Sequence, residues 1–123
     1  MRIYHLATLA DWERAQDTGA YTTSTRGVSL EQEGFIHASR ADQWRGVHAR
    51  YYADASEPLV LLEVETDLLA ARVVEERPAP EAVETFPHVY GPIEPAAVVA
   101  THEVTDSLLR DTRPGGPAGS AAT

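Results

Sequence analysis

The segment Gly34-Phe35-Ile36-His37-Ala38-Ser39 carries three signals in six residues. Phe35, Ile36 and Ala38 suit a short buried strand whose side chains alternate between two faces. Ser39, with Asp42 three residues on, is a variant of the capping box and places a helix start there. His37 is thereby expected at the exit of a strand, where a rigid backbone can turn the imidazole toward a cleft. A second stretch, Ile3-Tyr4-His5-Leu6-Ala7-Thr8, repeats the arrangement and runs into Asp11 and Trp12. Two strand-end histidines, each ahead of a helix, point to a site between them.

The remaining pattern completes an α+β reading. Residues 2–6 form a first strand, and Thr8 caps a helix to about Asp17, with Leu9, Trp12 and Ala15 inward and Gly19 as its C-cap. Residues 20–33 show little periodicity and are expected to be a loop, either a lid over His37 or a plain connection. Residues 40–52 form a second helix with Trp44, Val47 and Tyr51 on its core face and His48 at the edge of that stripe. Leu59-Val60-Leu61-Leu62 is continuously apolar, as in a central strand covered on both faces, and Glu63 stands either at a cleft or at a solvated strand end. Residues 72–76 suit an edge strand. The cluster Phe86-Pro87-His88-Val89-Tyr90-Gly91-Pro92 has the rigid backbone that placing His88 and Tyr90 requires. Residues 98–104 are the last strand, and the composition from about residue 106 is that of a disordered tail.

Composition excludes several chemistries. The chain of 123 residues has 43% apolar and 24% charged residues, in the range of one globular domain. Its net charge of −9 argues against an extended nucleic acid as partner. No cysteine is present, which removes disulfides, thiolate metal sites and cysteine nucleophiles. All ten basic residues are arginine, which removes Schiff-base chemistry and a phosphate-loop lysine. With no signal-peptide pattern and no apolar run long enough to span a bilayer, a cytoplasmic protein without membrane contact is expected.

His5, His37 and His88 come from separate parts of the chain, and three chemistries compete if they converge. They could ligate a metal with an open fourth position, although no H-x-H or H-x(3)-H spacing supports it. They could act as acid–base groups. They could hydrogen-bond a ribose or phosphate while Tyr4, Tyr90 and Phe86 stack on a flat ring. In the plain alternative each histidine satisfies nearby backbone and the three never meet.

Together with residues 59–64, the Tyr4–Thr8, Gly34–Ser39 and Phe86–Pro92 stretches resemble the bacterial family called domain of unknown function 952 (DUF952), over residues 2 to about 104. That family's fold is similar to the ADP-ribosyltransferase fold, an α+β arrangement of two small packed sheets around an NAD cleft. Tyr4, His5, Thr8 and Gly19 look like the tyrosine-histidine-glycine-threonine opening of that superfamily, with Leu6 where its glycine stands. Ile36-His37-Ala38-Ser39 resembles the second strand of its RNA 2′-phosphotransferase branch.

The resemblance implies that His5 orients a ribose and that His37 and Ser39 line the same cleft. It also implies that His88 and Tyr90 lie near a third motif, with Arg2 or Arg40 supplying charge and Glu63 or His88 polarising a nucleophile. The expectation is a domain over residues 1–105 with small mixed or antiparallel sheets and two helices, followed by a tail over 106–123. It would be an ADP-ribosyltransferase-like protein, binding or acting on NAD or a related nucleotide without a metal, as a monomer or a homodimer. The catalytic candidates are His5, His37 and His88; the ligand-binding candidates are Tyr4, Thr8, Ser39, Glu63, Phe86 and Tyr90. The alternatives are a non-catalytic ligand- or partner-binding module and a histidine-ligated, metal-dependent hydrolase.

Overall fold

The structure is a computed structural model and describes residues 1–111. Strand β5 (Leu59–Glu65) occupies the middle of a three-stranded antiparallel sheet, between β1 (Arg2–Thr8) and β8 (Val98–Glu103). The register sets His5 opposite Leu62, Tyr4 opposite Glu63 and Leu61 opposite His102. Side chains alternate along a strand, so the apolar run of β5 feeds two cores. Val60, Leu62 and Val64 join Ile3, Trp12 and Ile36 on one face. Leu59 and Leu61 join Tyr4, Leu6, Trp44 and Tyr52 on the other. A continuous apolar run is what such a doubly covered strand needs.

Helix α1 (Leu9–Thr18) forms as its caps dictate. The Thr8 hydroxyl accepts from the Asp11 amide at 3.1 Å, and Gly19 closes the helix at φ +89°. Trp12 and Ala15 are buried, whereas Leu9, expected on the inner stripe, is exposed. Residues 20–33 are not one loop. They hold a hairpin of β2 (Thr23–Thr25) and β3 (Val28–Ser29), then a turn of helix α2 (Leu30–Glu33). The capping box lies here, with Ser29 and Gln32 bonding each other's backbone amides at 3.1 and 2.9 Å. Ser39 caps nothing, because its amide and carbonyl are both bound to Tyr4, at 2.7 and 2.8 Å.

Strand β4 (Ile36–His37) opens the second sheet, ordered β4-β7-β6, with β6 (Val73–Glu76) and β7 (Phe86–Val89). His37 pairs with His88 across β4 and β7, so both rings project from one face, while Ile36, Val73 and Val89 turn to the core. All strand pairs are antiparallel.

The second helix starts later than expected. Helix α3 spans Trp44–Val47 and continues as a π-helical turn over His48–Tyr52. A π turn carries more residues per turn than an α turn, so the inward position slips by one. Tyr52 is buried and Tyr51, expected in the core, is 56% exposed. The expected tail begins instead with helix α4 (Asp106–Arg110), capped by Thr105. Arg45 donates to the carbonyls of Leu108, Leu109 and Asp111, which holds the C-terminal end of α4, and Leu108 and Leu109 pack on the second core. The rest of the expected tail lies outside the described residues. Among the described residues no helix is long and apolar enough to cross a membrane.

Candidate functional site

A cleft of about 790 Å³ opens where β1 and β4 meet the π-helical turn, within the range typical of small-molecule sites. Its inner wall is Tyr4, His5 and Leu6 of β1 with His37, Ala38 and Ser39. The hairpin contributes Ser24, Thr25 and Arg26 at one rim. The second helix contributes Gln43, Val47, Arg50, Tyr51 and Tyr52. The segment between β6 and β7 contributes Pro78, Glu81, Val83 and Glu84, and β7 contributes Phe86. Val83 is 98% exposed, an apolar side chain at the mouth with no cover of its own.

His5 is bound on both sides. Its Nδ1 lies 2.6 Å from the His37 carbonyl oxygen, which can only accept, so Nδ1 carries the proton and donates. The Tyr21 hydroxyl therefore donates to Nε2, at 2.9 Å. Burial drives the His5 pKa down from 6.5 to about 4, only partly opposed by its bond to the His37 carbonyl. The ring is neutral at pH 7, and both nitrogens are committed. His5 lines the cleft, and through both ring nitrogens it pins β1 to the His37 carbonyl of β4 and to Tyr21.

His37 is the imidazole that the cleft can use. It is half-buried, and its Nε2 lies 3.7 Å from Glu33 Oε2. Burial, and then the proximity of His88, hold its pKa below the ordinary histidine value. Near neutral pH it offers one donor and one acceptor nitrogen. His37 and His88 do converge, with ring centroids 5.0 Å apart at 84°. His88 lies behind the wall, however. It is buried, stacked under Phe35 at 4.0 Å, and its Nδ1 is 2.8 Å from Glu76 Oε1. Its Nε2 has no hydrogen-bond partner among the described residues. A buried polar group left so costs about 1–3 kcal/mol.

Two arginines reach the cleft, neither of them anticipated. Arg26 binds the Tyr51 carbonyl at 2.9 Å and Asp54 at 2.7 Å, and lies over the Tyr52 ring. Arg50 forms no ion pair among the described residues. Arg2 is tied to Glu63 at 2.8 Å, and Arg40 to Glu75 at 2.6 Å, so the two arginines first expected to supply charge are neutralised away from the cleft.

Of the expected site residues, Tyr4, His5, His37, Ser39 and Phe86 line the cleft. Four do not. Thr8 is spent on the α1 cap. Glu63 is held by Arg2 at 2.8 Å and by His102 at 2.6 Å, outside the cleft lining. His88 and Tyr90 share Glu76 on the second sheet, outside the cleft lining. The hydrolase reading loses a ligand because both His5 nitrogens are engaged. Among the described residues no group of three histidine or carboxylate side chains is placed to hold a metal. Arg26 was legible as the residue before Gly27, whose φ of +79° turns the hairpin. Arg50 and Tyr51 carry no such local mark.

Residues 6–101 match the protein family described as Protein of unknown function (DUF952). The crystal structure of protein CC0527 from Caulobacter crescentus superposes with a TM-score of 0.70 at 26% identity, covering 85% of this chain and 87% of that one. The solution NMR structure of the same protein gives 0.65 at 25% identity, covering 86% and 88%. No curated protein matches the chain.

Proposed function

The chain belongs to the DUF952 family, and we propose that its cleft binds a small nucleotide-like ligand, with NAD the first to test. The observation that carries this reading is one cleft holding Arg50, which forms no ion pair among the described residues, the neutral imidazole of His37 and the exposed ring of Tyr51. A nucleotide has the three complementary parts. Its phosphates suit the guanidinium of Arg50. Its ribose hydroxyls both give and accept hydrogen bonds, as neutral His37 and the Ser39 hydroxyl do. Its planar base suits the faces of Tyr51 and Phe86. The ADP-ribosyltransferase-like resemblance of the two strand-end histidines is part of this proposal and names NAD within the class.

The test is calorimetric titration of the purified full chain with NAD, ADP and adenosine. Saturable heat that weakens at least about tenfold in both His37→Ala and Arg50→Gln supports the reading, since each removes a charged or polar partner worth about 1.5–3 kcal/mol. No heat from any of the three at millimolar concentration refutes it. One observation favours a binder over a transferase: Glu63 and His88, the groups expected to polarise a nucleophile, do not line the cleft. Chromatography for released nicotinamide separates the two, because a binder yields none.

A further inference from the structure

On the second sheet, the Glu76 carboxylate accepts from the Tyr90 hydroxyl at 2.6 Å and from His88 Nδ1 at 2.8 Å. These two bonds, Tyr90 first, hold its pKa below the usual carboxylate range. An ionised carboxylate only accepts, so His88 carries a proton on Nδ1, and in the neutral ring Nε2 is a bare lone pair. That nitrogen is buried and has no partner among the described residues. A carboxylate that fixes the tautomer of an imidazole while the other nitrogen stays open is the general construction of an oriented acceptor.

The position of the ring gives this acceptor a use. His37, which lines the cleft, stands edge-on to it at 5.0 Å, so His88 lies one ring behind the cleft wall. Phe35 covers its face at 4.0 Å and 16°. Phe35 is itself half-exposed and follows Gly34, whose φ is +95° and whose surroundings hold nothing within 4 Å of an added Cβ. The covering ring thus stands at the surface beside a glycine with open space around it.

We propose that His88 Nε2 is an acceptor subsite for a hydroxyl donor, such as a sugar hydroxyl entering past His37 once the Phe35 ring turns aside. The identification of that hydroxyl as a ribose rests on the nucleotide reading of the cleft. The subsite makes Phe35 the gate and Glu76 and Tyr90 the positioning residues. Charged and titratable groups facing it are Glu76, His37 and Glu33, with Arg72 over the Tyr90 ring.

The experiment begins without a nucleotide. Long-range proton–nitrogen correlation spectra of the ¹⁵N-labelled protein at pH 7 are expected to show His88 protonated on Nδ1 and bare on Nε2, and a mixture of tautomers in Glu76→Gln. Diethyl pyrocarbonate reacts only with a bare imidazole nitrogen, and peptide mapping locates the adduct. His88 is expected to stay unmodified in the wild type and to react in Phe35→Ala at a rate approaching that of half-exposed His48. D-ribose is expected to slow that reaction at His88 while leaving His48 unchanged. Phe35→Leu, which keeps most of the ring's volume, checks that exposure follows from the gate and not from unfolding, and should give an intermediate rate. A proton on Nε2 in the wild type, a silent His88 in Phe35→Ala, or no protection by ribose overturns the proposal. Ribose protection with no heat from NAD, ADP or adenosine would sink the nucleotide reading and leave this subsite standing.

Discussion

His5 is the residue whose replacement tests the architecture of the cleft most directly. In His5→Leu the His37 carbonyl and the buried Tyr21 hydroxyl both lose their partner, and leucine offers neither a donor nor an acceptor. At about 1–3 kcal/mol for each of the two groups, the loss is about 2–6 kcal/mol at pH 7. The pH dependence follows from the same burial. The His5 pKa falls from 6.5 in the unfolded chain to about 4 in the folded one. A histidine lowered in this way contributes its full stability above pH 6.5, where both states are neutral. As the pH drops, the unfolded chain takes up the proton first, and stability is lost until the folded value is reached. Over the pH units between the two values the loss is on the order of 3 kcal/mol. Urea melts of the wild type and of His5→Asn at pH 7, 6, 5 and 4.5 measure it. The wild type should lose stability more steeply with acid than the variant, which has no titrating group at residue 5. Parallel slopes for the two proteins would refute the burial argument, and an unchanged urea midpoint for His5→Leu would refute the hydrogen-bond argument.

Four further substitutions probe the frame around the cleft. Thr8→Ala removes the side-chain cap of α1 and should cost about 1 kcal/mol in urea melts, with the ligand response unchanged. Gly91→Ala brings a Cβ to 2.8 Å from the Ala71 Cβ, so it should destabilise by about 1–3 kcal/mol. Gly46→Ala in α3 meets nothing within 4 Å and should stabilise by about 0.5–1 kcal/mol, read from the same melts. Arg45→Met should release α4 from its three carbonyl bonds, seen as faster amide hydrogen exchange at Leu108 and Leu109 than in the wild type.

The local devices of the chain were legible wherever a few neighbouring residues encode them. Thr8 and Gly19 bound α1 as their chemistry requires, and the apolar run from Leu59 to Leu62 is covered on both faces. The sequence puts a capping signal at Ser39, whereas the working pair is Ser29 and Gln32. The difference lies in tertiary bonds, since Tyr4 claims both backbone groups of Ser39 and holds it extended. The helical period also misled at Tyr51 and Tyr52, because a π turn changes the phase without a mark in residue type. Helix α4 was missed for a similar reason. Five residues make a marginal helix alone, and Arg45, more than 60 residues away, holds its end.

By itself, then, the sequence determined the strand and helix caps, the central apolar strand, the excluded chemistries and two strand-end histidines that do approach each other. These follow from periodicity and capping, which act over a few residues. Tertiary structure alone decided which polar groups are spent and which are free. The β1–β4 junction commits His5 to a carbonyl and a hydroxyl. The register of the first sheet gives Glu63 to Arg2 and His102. The second sheet draws His88 to Glu76, while the phase slip of the π turn leaves Tyr51 exposed at the cleft beside Arg50. A side chain's partner is fixed by the register between segments distant in the chain, and no local pattern of residues carries that register.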